Sequence, residues 1–186
     1  MSETIPPQTP LVVAVARDEA HRFSKPVVDE VELIEGLGVR GDAHSGATAQ
    51  HLARIRRDPA APNLRQVHLL QAELFDELVA VGFQIGPGQL GENITTSGVD
   101  LLGLPEGTRL HLGQQAVVRL TGLRNACQQI DDFADGLRKQ LRFTDEDGHV
   151  VRRTGVMGVV EASGVVRPGD PIAVELPAVR TPLAPV

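Results

Sequence analysis

The 186-residue sequence contains no tryptophan, no tyrosine and only five phenylalanines. Its core must therefore be built from Val, Leu, Ile and Ala, and it lacks the aromatic platforms on which single-stranded nucleic acids stack. There is a single cysteine, Cys127, so no internal disulfide can form and no second thiol is available for a zinc ribbon. No apolar run approaches the length that spans a bilayer, and Met1-Ser2-Glu3-Thr4 has neither the basic start nor the apolar run of a secretory signal. A cytoplasmic location is expected, where a thiol stays reduced. With 24 acidic and 18 basic side chains, the net charge of −6 gives no reason to expect general binding to nucleic acid or to a membrane surface. A Gly-x-Ser-x-Gly nucleophile elbow and a Gly-Lys-Ser/Thr phosphate loop are also absent.

What is present reads as one domain rich in short strands. Proline-rich ends, residues 1–10 and 177–186, are expected as flexible tails around a domain at 11–176. Strand-like runs recur at Leu11 to Ala16, Val31 to Ile34, Gln66 to Leu69, Asn93 to Thr95, Thr108 to Leu112, Ala116 to Thr121, Val150 to Arg153, Val156 to Ala162 and Ile172 to Leu176. Glycine or proline marks nearly every junction, as a mainly β barrel or sandwich requires. Helical periodicity is confined to Gln71 to Val81, where Leu70, Leu74, Leu78 and Val81 share a face, and to Leu137 to Leu141. There is no internal repeat and no regular strand–helix alternation.

Four segments carry residues capable of chemistry. Gly36 to Gly46 is a glycine-rich loop holding Asp42 and His44; it reads either as a ligand-approaching loop or as a tight turn bonded to its own backbone. Asn63 to Leu70 alternates, with Arg65, Val67 and Leu69 on one face and Gln66 and His68 on the other, and without a pocket it is an ordinary strand with one solvated face. Pro87 to Gly98 joins a glycine-rich turn to Glu92 and Asn93: amides near Gly88 and Gly91 can cradle an anion, while the alternative is a β-turn entering an edge strand. Leu120 to Gln129 runs from a strand into a loop with Arg124 three residues before Cys127. A guanidinium near the sulfur favours the thiolate that attacks electrophiles and binds soft metals, whereas an isolated cysteine is more often a small buried hydrophobe. Cys127 with His44 or His68 also has the makings of a Cys-His hydrolase.

In order, Gly41-Asp42-Ala43-His44, Asn63 to His68, Pro87 to Ile94, Leu123-Arg124-Asn125-Ala126-Cys127, Gly155 to Val160 and Arg167-Pro168-Gly169-Asp170 resemble the MOSC domain, named after the C-terminal part of molybdenum cofactor sulfurases. The resemblance runs from about Val12 to Leu176 and implies a MOSC-type β-barrel with a few short helices and the cysteine beside a site for the molybdenum cofactor (molybdopterin). Pyridoxal phosphate is not expected. Two activities follow from the resemblance. In one, an oxidoreductase reduces small N-hydroxylated compounds with Cys127 as molybdenum ligand. In the other, a sulfur carrier holds a persulfide on Cys127, loaded by a cysteine desulfurase.

For the reductase, Arg65 and Arg124 are expected to hold the cofactor's phosphate or pterin, supported by the backbone at Gly88 and Gly91. Asp42, His44 and Glu92 would orient ligands or relay protons, and Asn93 would fix the carboxylate loop. Many relatives have proline directly before the cysteine where this chain has Ala126, which leaves the loop less rigidly preset. Longer bacterial relatives carry a further C-terminal segment, so electrons are expected from a separate protein.

Overall fold

A continuous apolar run with three β-branched valines makes Leu11–Ala16 the first strand, and the apolar content of Val156–Ala162 makes it a strand covered on both faces. A computed structural model of the chain describes residues 9–50, 58 and 60–186. Thirteen strands are found there: β1 Leu11–Ala16, β2 Val27–Val28, β3 Val31–Ile34, β4 Gly38–Val39, β5 Val67–Gln71, β6 Ile94–Ser97, β7 Arg109–Leu112, β8 Ala116–Leu123, β9 Arg142–Thr144, β10 Val150–Arg152, β11 Val156–Ala162, β12 Gly164–Val166 and β13 Ile172–Glu175. Three short helices accompany them: α1 Glu73–Ala80, α2 Gln129–Phe133 and α3 Leu137–Leu141. None of the described helices is long and apolar enough to cross a membrane. The mainly β expectation holds. The N-terminal tail expected at 1–10 falls mostly on residues 1–8, outside the described residues.

Eight strands form the main sheet in the order β13-β7-β8-β11-β5-β6-β1-β2. Only β5 and β6 pair in parallel; the other neighbours are antiparallel. A three-stranded sheet, β12-β3-β4, and the β9–β10 hairpin complete the described strands.

The expected barrel is not closed, because the edge strands β13 and β2 do not pair with each other. The free edge of β1 meets the turn before β13 instead, through a Leu11–Pro171 bridge and bonds from Val12 N to Asp170 O (2.9 Å) and Ile172 N to Pro10 O (2.9 Å). Pro10 and Pro171 have no N–H to donate, so the ladder cannot propagate from this contact.

Apolar packing divides in two. The main core gathers Val12, Leu33, Val67, Leu69, Ile94, Leu110, Val118, Leu120 and Val156 between the sheets. A second cluster joins Leu70 of β5, Leu74, Phe75 and Leu78 of α1, Ile130 of α2, and Leu137 and Leu141 of α3. The α1 face matches the periodicity up to Leu78, but the helix ends at Ala80 and Val81 is exposed. Phe23 and Ala126 pack against this cluster. The loop before Cys127 is thus anchored by burial of Ala126, without the proline ring that many relatives place there.

Candidate functional site

Strand β8 ends at Leu123, and the chain leaves the sheet with Arg124 N bonded to Gly155 O (3.0 Å) and Thr154 Oγ1 donating to Arg124 O (2.5 Å). Those bonds turn the Arg124 side chain inward, where it is 9% exposed. Its guanidinium lies 5.8 Å from the centre of the Phe23 ring, and Nη1 is buried with no hydrogen-bond partner among the described residues. Burial lowers its pKa, opposed by Cys127 and Glu92. Three residues on, the half-buried thiol of Cys127 donates to Gln129 Oε1 at 3.6 Å.

Asp42, from the loop after β4, is the hub of the neighbouring wall. Its buried carboxylate accepts Lys25 Nζ at 2.7 Å, Asn93 Nδ2 at 2.9 Å and the backbone N–H of His44 at 2.9 Å, with His44 Nδ1 at 3.2 Å. Burial acts to raise the Asp42 pKa, but the His44 bonds and the Lys25 ammonium prevail and hold it far below the usual carboxylate range. Burial also pulls the Lys25 pKa down, and Asp42 opposes that shift. His21 packs edge-on against the His44 ring, with centroids 5.3 Å apart.

Strand β5 is buried on both faces, which corrects the picture of one solvated face. Gln66, just before it, donates to Gly36 O (2.8 Å) and accepts from Val160 N (2.9 Å). His68 Nε2 contacts the carbonyl of Thr154 at 2.7 Å; a carbonyl only accepts, so Nε2 carries the proton. Burial, with Arg124 nearby, pushes the His68 pKa well below its ordinary value, so the imidazole is neutral.

Glu92 is fully buried. Its Oε1 accepts from Gly88 N (2.6 Å) and Thr95 Oγ1 (3.2 Å), while Oε2 has no hydrogen-bond partner among the described residues. Burial raises its pKa against these bonds and against Arg124.

These elements enclose a cavity of about 820 Å³. Of the site residues expected from the sequence, Cys127, Arg124, Arg65, His44, Asn93 and Gly91 line it. Asp42, Glu92 and Gly88 are not on its wall. The amide of Gly88 is taken by Glu92, and that of Gly91 bonds to Gly88 O (3.0 Å), so the turn spends these donors on itself. Lys25, Arg22 and His21 also line the cavity, and the sequence singled out none of them. Lys25 follows a coil and precedes Pro26, where no periodicity marks a buried charge.

The fold has solved counterparts. The YuaD protein of Bacillus subtilis is 24% identical and matches with a TM-score of 0.71 over 90% of this chain and 96% of that one. YiiM of Escherichia coli is 19% identical, with a TM-score of 0.60 over 92% of this chain and 72% of that one. YiiM of Geobacillus stearothermophilus is 17% identical, with a TM-score of 0.62 over 89% and 75%. At these identities the likeness is one of fold. No curated protein matches the chain. The MOSC domain family matches residues 48–173, a stretch that holds Arg65, Glu92, Asn93, Arg124 and Cys127, and the chain belongs to that family.

Proposed function

We propose that this MOSC protein holds the molybdenum cofactor in the cavity beside Cys127, with the thiolate as molybdenum ligand, and reduces small N-hydroxylated compounds in the cytoplasm. The observation that carries this reading is the pairing, on one wall, of a soft thiol with a buried guanidinium whose Nη1 has no hydrogen-bond partner among the described residues. A thiolate suits a soft metal, and an Arg fork suits the phosphate of the cofactor, so the donor set fits the group. When bound, the cofactor supplies the electron-transfer chemistry, replenished by a separate donor protein.

The chain's own residues bind and move protons. Arg124 and Arg65 hold the anionic part of the ligand, and Asn93, tied to Asp42, keeps the adjoining wall in place. Cleaving an N–O bond to an amine and water consumes electrons and protons in equal number, and a proton must reach the departing oxygen. His44 is suited to deliver it, because Asp42 engages Nδ1 and holds the ring at the cavity wall. Glu92 acts from behind the wall, through its electrostatic influence on Arg124.

Protein purified from a host that makes the cofactor is expected to contain molybdenum and pterin in matched amounts, and Cys127→Ser to lose the metal. Equal, negligible molybdenum in both proteins overturns the reading. A Cys127 found one sulfur atom heavier after incubation with a cysteine desulfurase, in protein free of metal, points instead to the sulfur carrier.

A further inference from the structure

We propose that the cavity beside Cys127 selects anionic small molecules, compact species bearing a carboxylate or a phosphate, and that Arg124, supported by Lys25, is the residue that selects them. The inference goes beyond the cofactor reading: it concerns the charge of whatever approaches the thiol, and it holds for the protein without any cofactor.

The charge distribution around the cavity is opposite to that of the molecule. The chain carries a net −6, yet no Asp or Glu is among the described residues lining this cavity, whereas Arg22, Lys25, Arg65 and Arg124 all are. The nearby carboxylates are withdrawn behind the wall and committed there. Asp18 is 5% exposed and bonds Arg22 Nε at 2.6 Å; Asp42 is 6% exposed and bonds Lys25 at 2.7 Å.

Arg22 and Lys25 are thereby balanced, and Arg124 is not. Its Nη1 lacks a hydrogen bond, and no carboxylate oxygen lies within ion-pair distance of it among the described residues. The acidic groups that act on it are the Cys127 thiol and then Glu92, and burial favours the uncharged form of Glu92. A buried guanidinium without acceptors is costly, and the cost is offset when a ligand brings oxygens in a fork that matches it. Water alone satisfies a donor but leaves the charge uncompensated. An oxyanion does both.

Lys25 sharpens the selection. It lines the same cavity, and its ammonium has three N–H groups, of which one is given to Asp42. The low-dielectric wall around these cations strengthens their field at the thiol relative to open water.

Cys127 is the built-in reporter. The full chain, purified from a host unable to make the cofactor, is alkylated with iodoacetate and, separately, with the uncharged iodoacetamide of similar size. In each case the thiolate displaces iodide from the methylene carbon. The ratio of the two rates is compared with the ratio for free cysteine, which cancels the intrinsic reactivity of the thiol. A ratio roughly tenfold above free cysteine at low salt is expected, falling toward it as NaCl is raised. Arg124→Gln should bring the ratio down to that of free cysteine and Arg124→Lys should keep most of it, while inorganic phosphate should slow the iodoacetate reaction more than the iodoacetamide one. The salt and phosphate arms use the unaltered protein, so they decide the matter even if Arg124→Gln does not fold. A ratio equal to that of free cysteine and indifferent to salt overturns the inference, as does a thiol that neither reagent reaches. Absence of molybdenum from cofactor-competent preparations overturns the cofactor reading alone.

Discussion

Asp42 and Glu92 are both buried carboxyl groups, yet their surroundings drive them in opposite directions. Asp42 meets an ammonium, an amide and an imidazole, and stays ionised; Glu92 meets one backbone amide and one hydroxyl, and its second oxygen has no hydrogen-bond partner among the described residues. The difference has a definite sign in stability. Because folding raises the Glu92 pKa, the folded state binds its proton more tightly than the unfolded chain does. That contribution is fully present below the unfolded carboxylate pKa and is lost as pH rises through the folded value. Glu92→Gln, which mimics the uncharged acid, should melt at or below the temperature of the unaltered protein near pH 4. It should gain on it by a few degrees as the pH is raised toward 8. Melting curves at several pH values check this, and a difference that does not change with pH would exclude a buried titration at Glu92. Asp42 contributes with the reverse sense: its stabilisation is present above the unfolded carboxylate pKa and disappears as the pH falls below it.

Two elements set where the cavity wall lies: the turn at Gly88 and the segment carrying Lys25. Gly88 has φ of +79°, and a Cβ there would strike the carbonyl of Lys25, to which the turn is also tied by Lys25 N donating to Gly88 O (2.8 Å). Gly88→Ala therefore imposes a strained backbone and pushes the Lys25 segment away, at a cost of about 2–4 kcal/mol. Gly86→Ala, two residues earlier, meets nothing within 4 Å and should change urea-unfolding stability by less than about 0.5 kcal/mol. Equal effects at the two positions would show that the close approach is not what holds the loop. Such contacts explain how far the fold was legible. Strands β1, β3 and β11 match the sequence expectation to the residue, because apolar or β-branched runs ended by turn residues leave little choice. Strands β2 and β4 have two residues each, α2 buries only Ile130 among its five and so shows no repeating apolar face, and β9 is exposed throughout, so none of them was visible. Within the site, Cys127, Arg124 and His44 were legible as residue types in glycine-rich or polar loops. The bonds from Asp42 to His44, two positions on, fit the local turn that the sequence allowed, whereas Lys25 and Asn93 reach Asp42 from 17 and 51 positions away and have no local signature.

At the scale of the whole molecule, the sheet gathers its site at one end, where β8 hands the chain to the Cys127 loop, and the last residues of the chain cross that same point. Composition reads 177–186 as a tail, yet the backbone there is bonded to the turn before β7, Glu106 N to Thr181 O (2.8 Å), and to the end of β8, Leu123 N to Ala184 O (2.8 Å) and Val186 N to Leu123 O (3.2 Å). Leu183 packs on the main core, Val186 lines the cavity, and Gly122 has no side chain because a Cβ would lie 2.5 Å from the carbonyl of Ala184. Leu123 is adjacent to Arg124, so these bonds fix the point from which the guanidinium and, three residues later, the thiol are suspended. Deleting residues 181–186 removes Leu183 from the side of the core and strips both backbone bonds from Leu123, which predicts a loss of roughly 2–4 kcal/mol from one partly buried Leu contact and two unmet polar groups. The loop should loosen along with the wall it shares. Alkylation of Cys127 by uncharged iodoacetamide is expected to speed up in the shortened chain while the far strands β12, β3 and β4 keep their amide-exchange protection. Unchanged melting together with an unchanged alkylation rate would mean that the segment merely lies on the surface, and that the sheet alone, through Gly155 and Thr154, suffices to hold Arg124 and Cys127 in place.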